Sequence, residues 1–326
     1  MPYCSFFDQP GLRRLATYPH WNLILNIGPT FIEDTFAEAF SMRYSRIVVT
    51  AANRRWLDAA IHEFSGYGSS VIGCDAEVGL ESWLADSETL DGRPGASFLI
   101  FGFSADAVQK AIVNRTGQCL MTCPTTAVFN GLPIGDAVST ESPVESIPLG
   151  KHLRFFGDGF QKSKLIGDRR FWRVPVMDGE FIVEDTVGVT KGVAGGNFLM
   201  LATDQMTCLT AAEKAVDAIA ELANVITPFP GGVVRSGSKV GSRYAALRAS
   251  TNEAYCPTLL GRVTSSLPKN VGCVYEIVID GTSFDSVAQA TQAGIRAAVG
   301  EGVISISAGN YGGKLGKHHF HLRNLF

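Results

Sequence analysis

The chain has 326 residues, of which 46% are hydrophobic and 18% charged. This composition excludes a disordered protein, and the length suffices for two ordinary domains. Lys and Arg number 28 against 31 Asp and Glu, for a formal net charge of -3, so the basic surface that binds nucleic acid is missing. Apolar runs such as residues 98–103 are far shorter than the roughly 18 residues of a membrane-spanning helix. We therefore expect a cytoplasmic protein with neither nucleic acid nor a membrane as partner.

The seven cysteines are odd in number and scattered along the chain, which is not the pattern of a secreted disulfide framework. Cys119 and Cys123 lie close together, but neither a second pair nor a histidine doublet accompanies them at zinc spacing. The sequence therefore favours buried apolar thiols and predicts no metal site.

Residues 1–25 do not have the charged start and apolar stretch of a signal peptide, and we expect an extension that is not part of the fold. Regular elements begin after them. The pattern predicts two successive strand and helix units, with Ser104 as an N-cap: strand 46–50, helix 53–64, strand 69–73, strand 97–103 and helix 104–115.

The same order of elements recurs in the second half of the chain. The pattern there predicts strand 198–202, helix 204–223, a segment from Val225 that runs into glycine and proline, strand 273–279, helix 283–299 and strand 303–307. This repetition predicts an α+β fold of two lobes, each of ferredoxin-like (split β-α-β) type and related by duplication. A single doubly wound α/β sheet is the alternative. The turn-rich stretch 118–196 is too long for one crossover, which favours lobes over 26–174 and 175–326.

Three glycine-rich loops carry small polar residues or lysine beside backbone amides, a combination that binds anions or carbonyl oxygens. Plain tight turns are the alternative. The candidate substrate-binding residues in these loops are Phe229, Pro230, Gly231, Gly232, Ser236, Ser238, Lys239, Asn310 and Lys314. None of the loops is a Walker loop, a dinucleotide-binding turn or a nucleophile elbow. Any acyl transfer is therefore expected to proceed by direct attack, without a covalent acyl-enzyme.

Glu276 is the most informative carboxylate. In the predicted strand 273–279, alternation places it on one face with Val274 and Val278. Burial among valines raises the pKa of a carboxyl group, which makes a general acid near neutral pH. An exposed sheet face, or a pair with an arginine, is the alternative.

The C-terminal segment 314–323 concentrates Lys314, Lys317 and three histidines. One local histidine tract without carboxylates or cysteines is seldom a metal site. We predict a strand whose lysines face an anion, and a solvated tail remains the alternative.

Seven stretches, in collinear order over residues 26–326, resemble the formylmethanofuran:tetrahydromethanopterin formyltransferases. They are IEDTFAEAF (32–40), GQCLMTCPTTAVF (117–129), FFGDGF (155–160), GVAGGNF (192–198), VITPFPGG (225–232), STNE (250–253) and SAGNYGGKLGK (307–317). Ser41 stands where this family usually has proline, in what we expect to be a loop.

The resemblance implies reversible transfer of a formyl group between methanofuran and N5 of tetrahydromethanopterin, in one-carbon metabolism and without a tightly bound cofactor. It also implies two lobes, a homo-oligomer such as a tetramer, and a role for Glu276 at the reacting formyl group. Both carriers are polyanionic, which suits the lysines. Because relatives in methylotrophic bacteria are subunits of a formyltransferase/hydrolase complex, a non-catalytic assembly subunit is the alternative function.

Overall fold

The computed structural model describes residues 25–134 and 142–326. The predicted extension therefore lies outside the described residues, apart from its last residue. The α-helices of the described part are α1 Arg54–Ser65, α2 Ala105–Arg115, α3 Gly150–Leu153, α4 Gln205–Ala220 and α5 Phe284–Ala298. The strands are β1 Leu25–Ile27, β2 Thr30–Ile32, β3 Phe36–Thr50, β4 Glu77–Leu84, β5 Gly95–Gly102, β6 Ala127–Asn130, β7 Glu145–Pro148, β8 Lys162–Ile166, β9 Arg169–Val176, β10 Gly179–Glu184, β11 Thr186–Ala202, β12 Val225–Ile226, β13 Lys239–Val240, β14 Ala249–Ser250, β15 Cys273–Gly281, β16 Val303–Ser307 and β17 His318–His321.

The first half of the chain forms a split β-α-β unit with the element order β3-α1-β4-β5-α2-β6. Its strands lie side by side as β4-β5-β3-β6, and each neighbouring pair is antiparallel. This is the ferredoxin-like arrangement, in which both helices cover one face of the sheet.

The second half repeats the arrangement as β11-α4-β12-β15-α5-β16. The strand order is β12-β15-β11-β16, again antiparallel throughout. The predicted α+β fold with two duplicated split β-α-β lobes is confirmed. The doubly wound alternative is wrong, because it requires mainly parallel neighbours.

The two units share one continuous sheet through their long first strands. Strand β3 pairs antiparallel with β11, from Tyr44 opposite Thr190 to Phe40 opposite Ala194. One end of each strand pairs with strands of its own unit, and the middle pairs with the other unit. Each strand is therefore longer than the apolar run that predicted it.

Short polar side chains fix where the helices begin. The side chains of Asn53, Ser104, Asp204 and Ser283 accept hydrogen bonds from backbone amides of the first turns of α1, α2, α4 and α5. The predicted cap Ser104 is among them. Behind each helix pair lies a separate apolar core, one per unit, centred on Phe64 and Phe98 in the first and on Phe198 and Ile277 in the second.

Two details of the sequence prediction are wrong. Residues 69–73 form turns and not a strand, since the amides of Gly73 and Cys74 both bond the carbonyl of Ser70; the strand begins later, at Glu77. Ser41 lies inside β3 opposite Val193 and not in a loop. Val71 packs against the apolar cluster that contains Met42 and Ala194, and Ser41 lies where β3 joins β11, so both errors fall at the junction between the units.

Candidate active site

A cavity of about 390 Å³ lies at the junction of the two units. Strand β3 contributes Glu38, Phe40 and Met42, and β11 with β15 contributes Ala194, Gly195, Asn197, Glu276 and Val278. Glu77 of β4, Val240 of β13 and Ala249 of β14 also line it. Residues outside the strands complete the lining: Ser70, Val71, Ile72, Phe103, Phe229, Val234, Ser236, Ser238, Tyr311 and Leu315. Among these lining residues there are three glutamates but no lysine, arginine or histidine, so the lining is apolar and acidic.

Glu276 occupies the face of β15 that looks into this cavity, together with Val278, as the alternation predicted. Its side chain is half-buried, and it forms no ion pair with the other described residues. Desolvation by the surrounding protein raises the pKa of its carboxyl group to about 7. At neutral pH Glu276 is therefore balanced between the acid and its carboxylate, as a general acid requires.

A backbone bridge holds the loop after Phe229 against Glu276. The amide of Val234 donates to the carbonyl of Glu276 at 2.8 Å, and the amide of Glu276 donates to the carbonyl of Val234 at 3.1 Å. Phe229, Ser236 and Ser238, three of the predicted binding residues, line the cavity beside Glu276.

Pro230, Gly231 and Gly232 form the tight turn that starts this loop, with Gly231 at φ 61° and Gly232 at φ 76°. A Cβ atom at Gly232 would lie 2.7 Å from side-chain atoms of Thr227 and Val216. The glycine is thus required by both its backbone conformation and its close packing. These three residues shape the loop without lining the cavity.

The predicted glycine-rich loop near the C-terminus is bound by a buried glutamate. Glu38, which is 1% exposed, accepts four backbone hydrogen bonds, from Tyr311 (2.7 Å), Gly313 (2.8 Å), Leu315 (2.6 Å) and Gly316 (2.6 Å). Desolvation acts to raise the pKa of Glu38, but the four amide donors outweigh it and lower that pKa. The amides that the sequence offered to an anionic substrate therefore bind a carboxylate of the protein itself.

This clamp places the half-buried ring of Tyr311 in the cavity, next to the ring of Phe40 at 6.2 Å between centroids. Desolvation, and then the negative charges of Glu276 and Glu38, raise the pKa of the Tyr311 hydroxyl. Tyr311 therefore stays protonated and can donate a hydrogen bond inside the cavity.

Asn197 and Gly195 form the wall contributed by β11. The Asn197 side chain accepts from the Gly309 amide at 2.6 Å and donates to the carbonyls of Gly309 and Gly195. The register of β11 against β15 shifts between Val193 and Gly196, and Gly195, at φ 85°, occupies this bulge. Bulges of this kind redirect backbone groups beside active sites.

The remaining predicted residues lie outside the cavity lining. Lys239 is exposed and pairs with Glu253, and Lys314 and Lys317 are exposed on the surface. Asn310 has a structural contact, since its side-chain amide donates to the Phe36 carbonyl at 3.1 Å. The predicted strand after Lys317 exists as β17, paired with β3.

Five residues of the cavity lining were not among the predicted site residues: Glu38, Glu77, Gly195, Asn197 and Tyr311. All except Glu77 lie within the stretches 32–40, 192–198 and 307–317 that carried the family resemblance. That clustering was the available signal. A single glutamate in a strand, without its partners 273 residues later in the chain, gives no local pattern.

Within the described ranges, no group of three or more His, Cys, Asp or Glu residues is arranged to hold a metal ion. Cys119 and Cys123 are partly buried thiols packed against the first core, in line with the apolar interpretation.

None of the helices in the described part of the chain is long and apolar enough to cross a membrane.

Duplicated split β-α-β units with an acidic cavity at their junction define a two-lobed α+β protein with a carboxylate-based site. Two family models match this chain. That of the formylmethanofuran-tetrahydromethanopterin formyltransferases matches residues 25–176, and that of the proximal lobe of the same family matches residues 179–325. The chain belongs to the formylmethanofuran-tetrahydromethanopterin formyltransferase family.

Curated relatives align with nearly the whole chain. The formyltransferase of this name from Methylococcus capsulatus is 52% identical over 303 residues, which cover 92% of this chain and 99% of the relative. That of Methanococcoides burtonii is 50% identical over 300 residues, covering 90% and 98%.

Two solved structures share the fold. The formyltransferase from Methanosarcina barkeri has a TM-score of 0.85 at 47% identity, covering 93% of this chain and 100% of that one. A chain of the formyltransferase/hydrolase complex from Methylorubrum extorquens, solved with methylofuran, has a TM-score of 0.87 at 44% identity, covering 93% and 98%.

Proposed function

We propose that this protein is an enzyme that reversibly transfers a formyl group between formylmethanofuran and N5 of tetrahydromethanopterin. The observation that carries the proposal is Glu276, a carboxyl group without a counter-ion in a cavity between the two units and with a pKa of about 7. Family membership supplies the two carriers, and the cavity supplies the acid that an amide-to-amine transfer needs.

The reaction is a direct attack within a ternary complex. The N5 amine forms a new C–N bond to the formyl carbon, and the amide oxygen becomes an oxyanion. Glu276 donates its proton to this oxygen and takes it back as the old C–N bond breaks. The proton lost from N5 ends on the departing amine of methanofuran, so charge and protons balance.

A covalent formyl-enzyme has no support in the lining. Its serines, Ser70, Ser236 and Ser238, have no histidine or lysine base among the lining residues, and the lining includes no cysteine. A nucleophilic serine requires such a base. Orientation of both carriers, together with Glu276 and the hydroxyl of Tyr311, accounts for catalysis instead.

The cavity receives the reacting ends of the carriers, because its acidic lining repels anionic tails. We propose that the exposed lysines Lys239, Lys314 and Lys317 bind those tails outside the cavity, while Phe229, Ser236 and Ser238 contact the reacting ends. Asn310 and the turn Pro230–Gly232 act by holding the two loops in place.

The decisive experiment is an absorbance or mass-spectrometric assay of the isolated protein with formylmethanofuran and tetrahydromethanopterin. We expect formyltetrahydromethanopterin to form at catalytic rates, and the reverse reaction to occur with that product and methanofuran. A folded protein that is inactive in the forward and in the reverse direction would favour the alternative of a non-catalytic assembly subunit.

We also propose that the protein is cytoplasmic, that it forms a homo-oligomer such as a tetramer, and that it can join other subunits of a formyltransferase/hydrolase complex. Exposed aromatic side chains on the first unit, Phe155, Phe156 and Phe160, at 65%, 69% and 77% exposure, support an interface there. We place the lobe boundary near residue 175. Light scattering after size exclusion, with and without the other subunits, measures the assembly.

A further inference from the structure

Two buried carboxyl groups meet where the two units join. Glu77 begins β4 of the first unit and is 6% exposed, and Asp280 lies near the end of β15 in the second unit and is 0% exposed. The strands that carry them meet, since a Cβ atom at Gly79, two residues after Glu77, would lie 2.9 Å from Cβ of Ile226, the register partner of Asp280. The two carboxyl groups interact with each other across this contact. Glu77 also lines the cavity that contains Glu276.

A backbone amide from the cavity wall anchors each member of the pair. The amide of Val71 donates to Oε1 of Glu77 at 3.1 Å, and the amide of Gly195 donates to Oδ1 of Asp280 at 2.8 Å. Val71 and Gly195 both line the cavity. The pair thus connects a turn of the first unit to the bulge of the second.

No cation compensates the two groups, since neither forms an ion pair with the other described residues. The guanidinium of Arg46, on β3 of the same sheet, is bound to Glu81 and Asn224. Glu276, on the same face of β15 as Asp280, adds a third carboxyl group. Oδ2 of Asp280 is buried without a donor unless a proton lies between it and Glu77.

Two ionised carboxylates in contact repel each other, and neither can donate a hydrogen bond. Burial, and then the charge of Glu77, raise the pKa of Asp280, and burial raises the pKa of Glu77. One proton between them removes the repulsion and also satisfies Oδ2 of Asp280. A pair of this kind titrates as a unit.

We propose that Glu77 and Asp280 share one proton, and that this shared-proton contact is a positioning element that holds Val71 and Gly195 at the spacing the formyl carriers require around Glu276. This inference rests on the proposed function for its kinetic part only. The shared proton itself is a property of the free protein.

When the proton leaves at alkaline pH, the carboxylates repel and the two walls lose their common anchor. We expect the KM for the carriers to rise with pH, separately from the loss of kcat caused by ionisation of Glu276. In Glu77→Gln or Asp280→Asn, an amide donor replaces the proton. The contact then no longer depends on pH, so the rise in KM disappears.

The proton can be detected without substrates. Glu276→Gln serves as the parent protein, because it lacks the third acid. Its infrared spectrum at neutral pH, minus that of Glu77→Gln/Glu276→Gln, should contain the C=O band of a protonated carboxyl group. Asp280→Asn/Glu276→Gln should lose the same band. If the band is absent, or survives in both double variants, the shared proton does not exist.

Unfolding by urea gives a second readout. A group whose pKa is raised in the folded state stabilises the fold below its unfolded pKa, and this stability is lost as pH rises through the folded pKa. With one proton held, the unfolding equilibrium constant of Glu276→Gln should rise up to about tenfold per pH unit within that window.

The slope should flatten in Glu77→Gln/Glu276→Gln. Glu184→Gln in the same background is the matched control, because it removes a buried carboxylate that has Arg169 as partner. It should shift the equilibrium constant without changing the slope. Equal slopes in all these proteins would overturn the proposal, whereas inactivity of the wild-type protein with both carriers would overturn only the proposed function.

Discussion

The backbone amide of Tyr311 donates a 2.7 Å hydrogen bond to the buried carboxylate of Glu38, which lies 273 residues earlier in the chain. Through this contact and three further amides, Glu38 occupies backbone donors of the glycine-rich loop. The cavity therefore receives the ring of Tyr311 in place of amide donors. We propose that side chains stabilise an oxyanion there, with Glu276 and Tyr311 as the donors.

Glu276→Gln is expected to lower kcat by about 10² to 10⁴-fold with little change in KM, because the amide keeps the shape but cannot give up a proton. In the wild type, kcat should fall as pH rises through about 7, where Glu276 ionises. Steady-state rates from pH 5.5 to 9 measure both effects.

Glu213→Gln, an exposed change on α4, is the matched control and should leave kcat and its pH profile unchanged. A correctly folded Glu276→Gln protein with the wild-type turnover number would show that Glu276 is structural.

Tyr311→Phe removes one donor from the cavity and leaves the Glu38 clamp intact, because the clamp uses the backbone amide. Loss of a single neutral donor to a developing oxyanion predicts a fall in kcat of about 10 to 10³-fold. Single-turnover kinetics should show the loss in the chemical step. Tyr244→Phe, on an exposed tyrosine, should change nothing, and an equal effect of both variants would argue against a donor role.

Glu38→Gln should destabilise the protein by about 2–4 kcal/mol, since its amide nitrogen cannot accept the hydrogen bonds of two backbone amides. The pKa of Glu38 is lowered in the folded state. Its stabilisation is therefore present above the unfolded pKa and is lost as pH falls through the folded value.

Urea titrations at pH 7 and pH 3.5 test this prediction. The difference in free energy of unfolding between wild type and Glu38→Gln should be smaller at pH 3.5 than at pH 7. The exposed change Glu63→Gln should leave the free energy of unfolding unchanged at both pH values. If this difference were the same at both pH values, Glu38 would stabilise the fold through packing and not as a carboxylate.

Direct attack predicts that no formyl-protein adduct forms. Rapid quenching after mixing with labelled formylmethanofuran alone should leave all of the label on the small molecule. A stoichiometric labelled peptide, for example one that contains Ser236 or Ser238, would establish a covalent intermediate instead.

Exhaustive chelation should leave activity unchanged, because no cluster of ligating side chains occurs in the part of the chain that the structure describes. Activity lost to the chelator and restored by one divalent ion, with folding and assembly intact, would contradict this prediction.

Local patterns predicted the long helices and several strands, but they placed a strand at 69–73 and missed β4 and β6 to β10. Apolar alternation located β15 and β16, and the serine before an apolar helix located the cap Ser104. Repetition of these elements then predicted the duplicated lobes. The pairing of β3 with β11 could not be predicted, because nothing in either strand specifies a partner in the other unit.

Two kinds of cavity residue could be predicted: the loop residues Phe229, Ser236 and Ser238 beside glycines, and a charged residue in an otherwise apolar strand. Glu276 among valines is such a residue, and the sequence selected it. Glu38 and Glu77 are satisfied by distant backbone and by a distant carboxyl group, so neither has a local signature. The lysines were predicted to bind substrate because of their charge. A charged lysine at the surface is equally well explained by hydration, so its charge alone does not indicate a site.

The long sequence separation between Glu38 and the loop that it binds has a consequence for biosynthesis. Because the loop from Tyr311 to Gly316 follows both split β-α-β units in the chain, a growing chain can fold its first unit early but cannot complete the cavity before this loop is synthesised. Contacts of such long sequence separation also form late in refolding. Catalytic competence should therefore appear only after this loop has been synthesised, and a chain that stops before Tyr311 should retain a folded first unit with no working site.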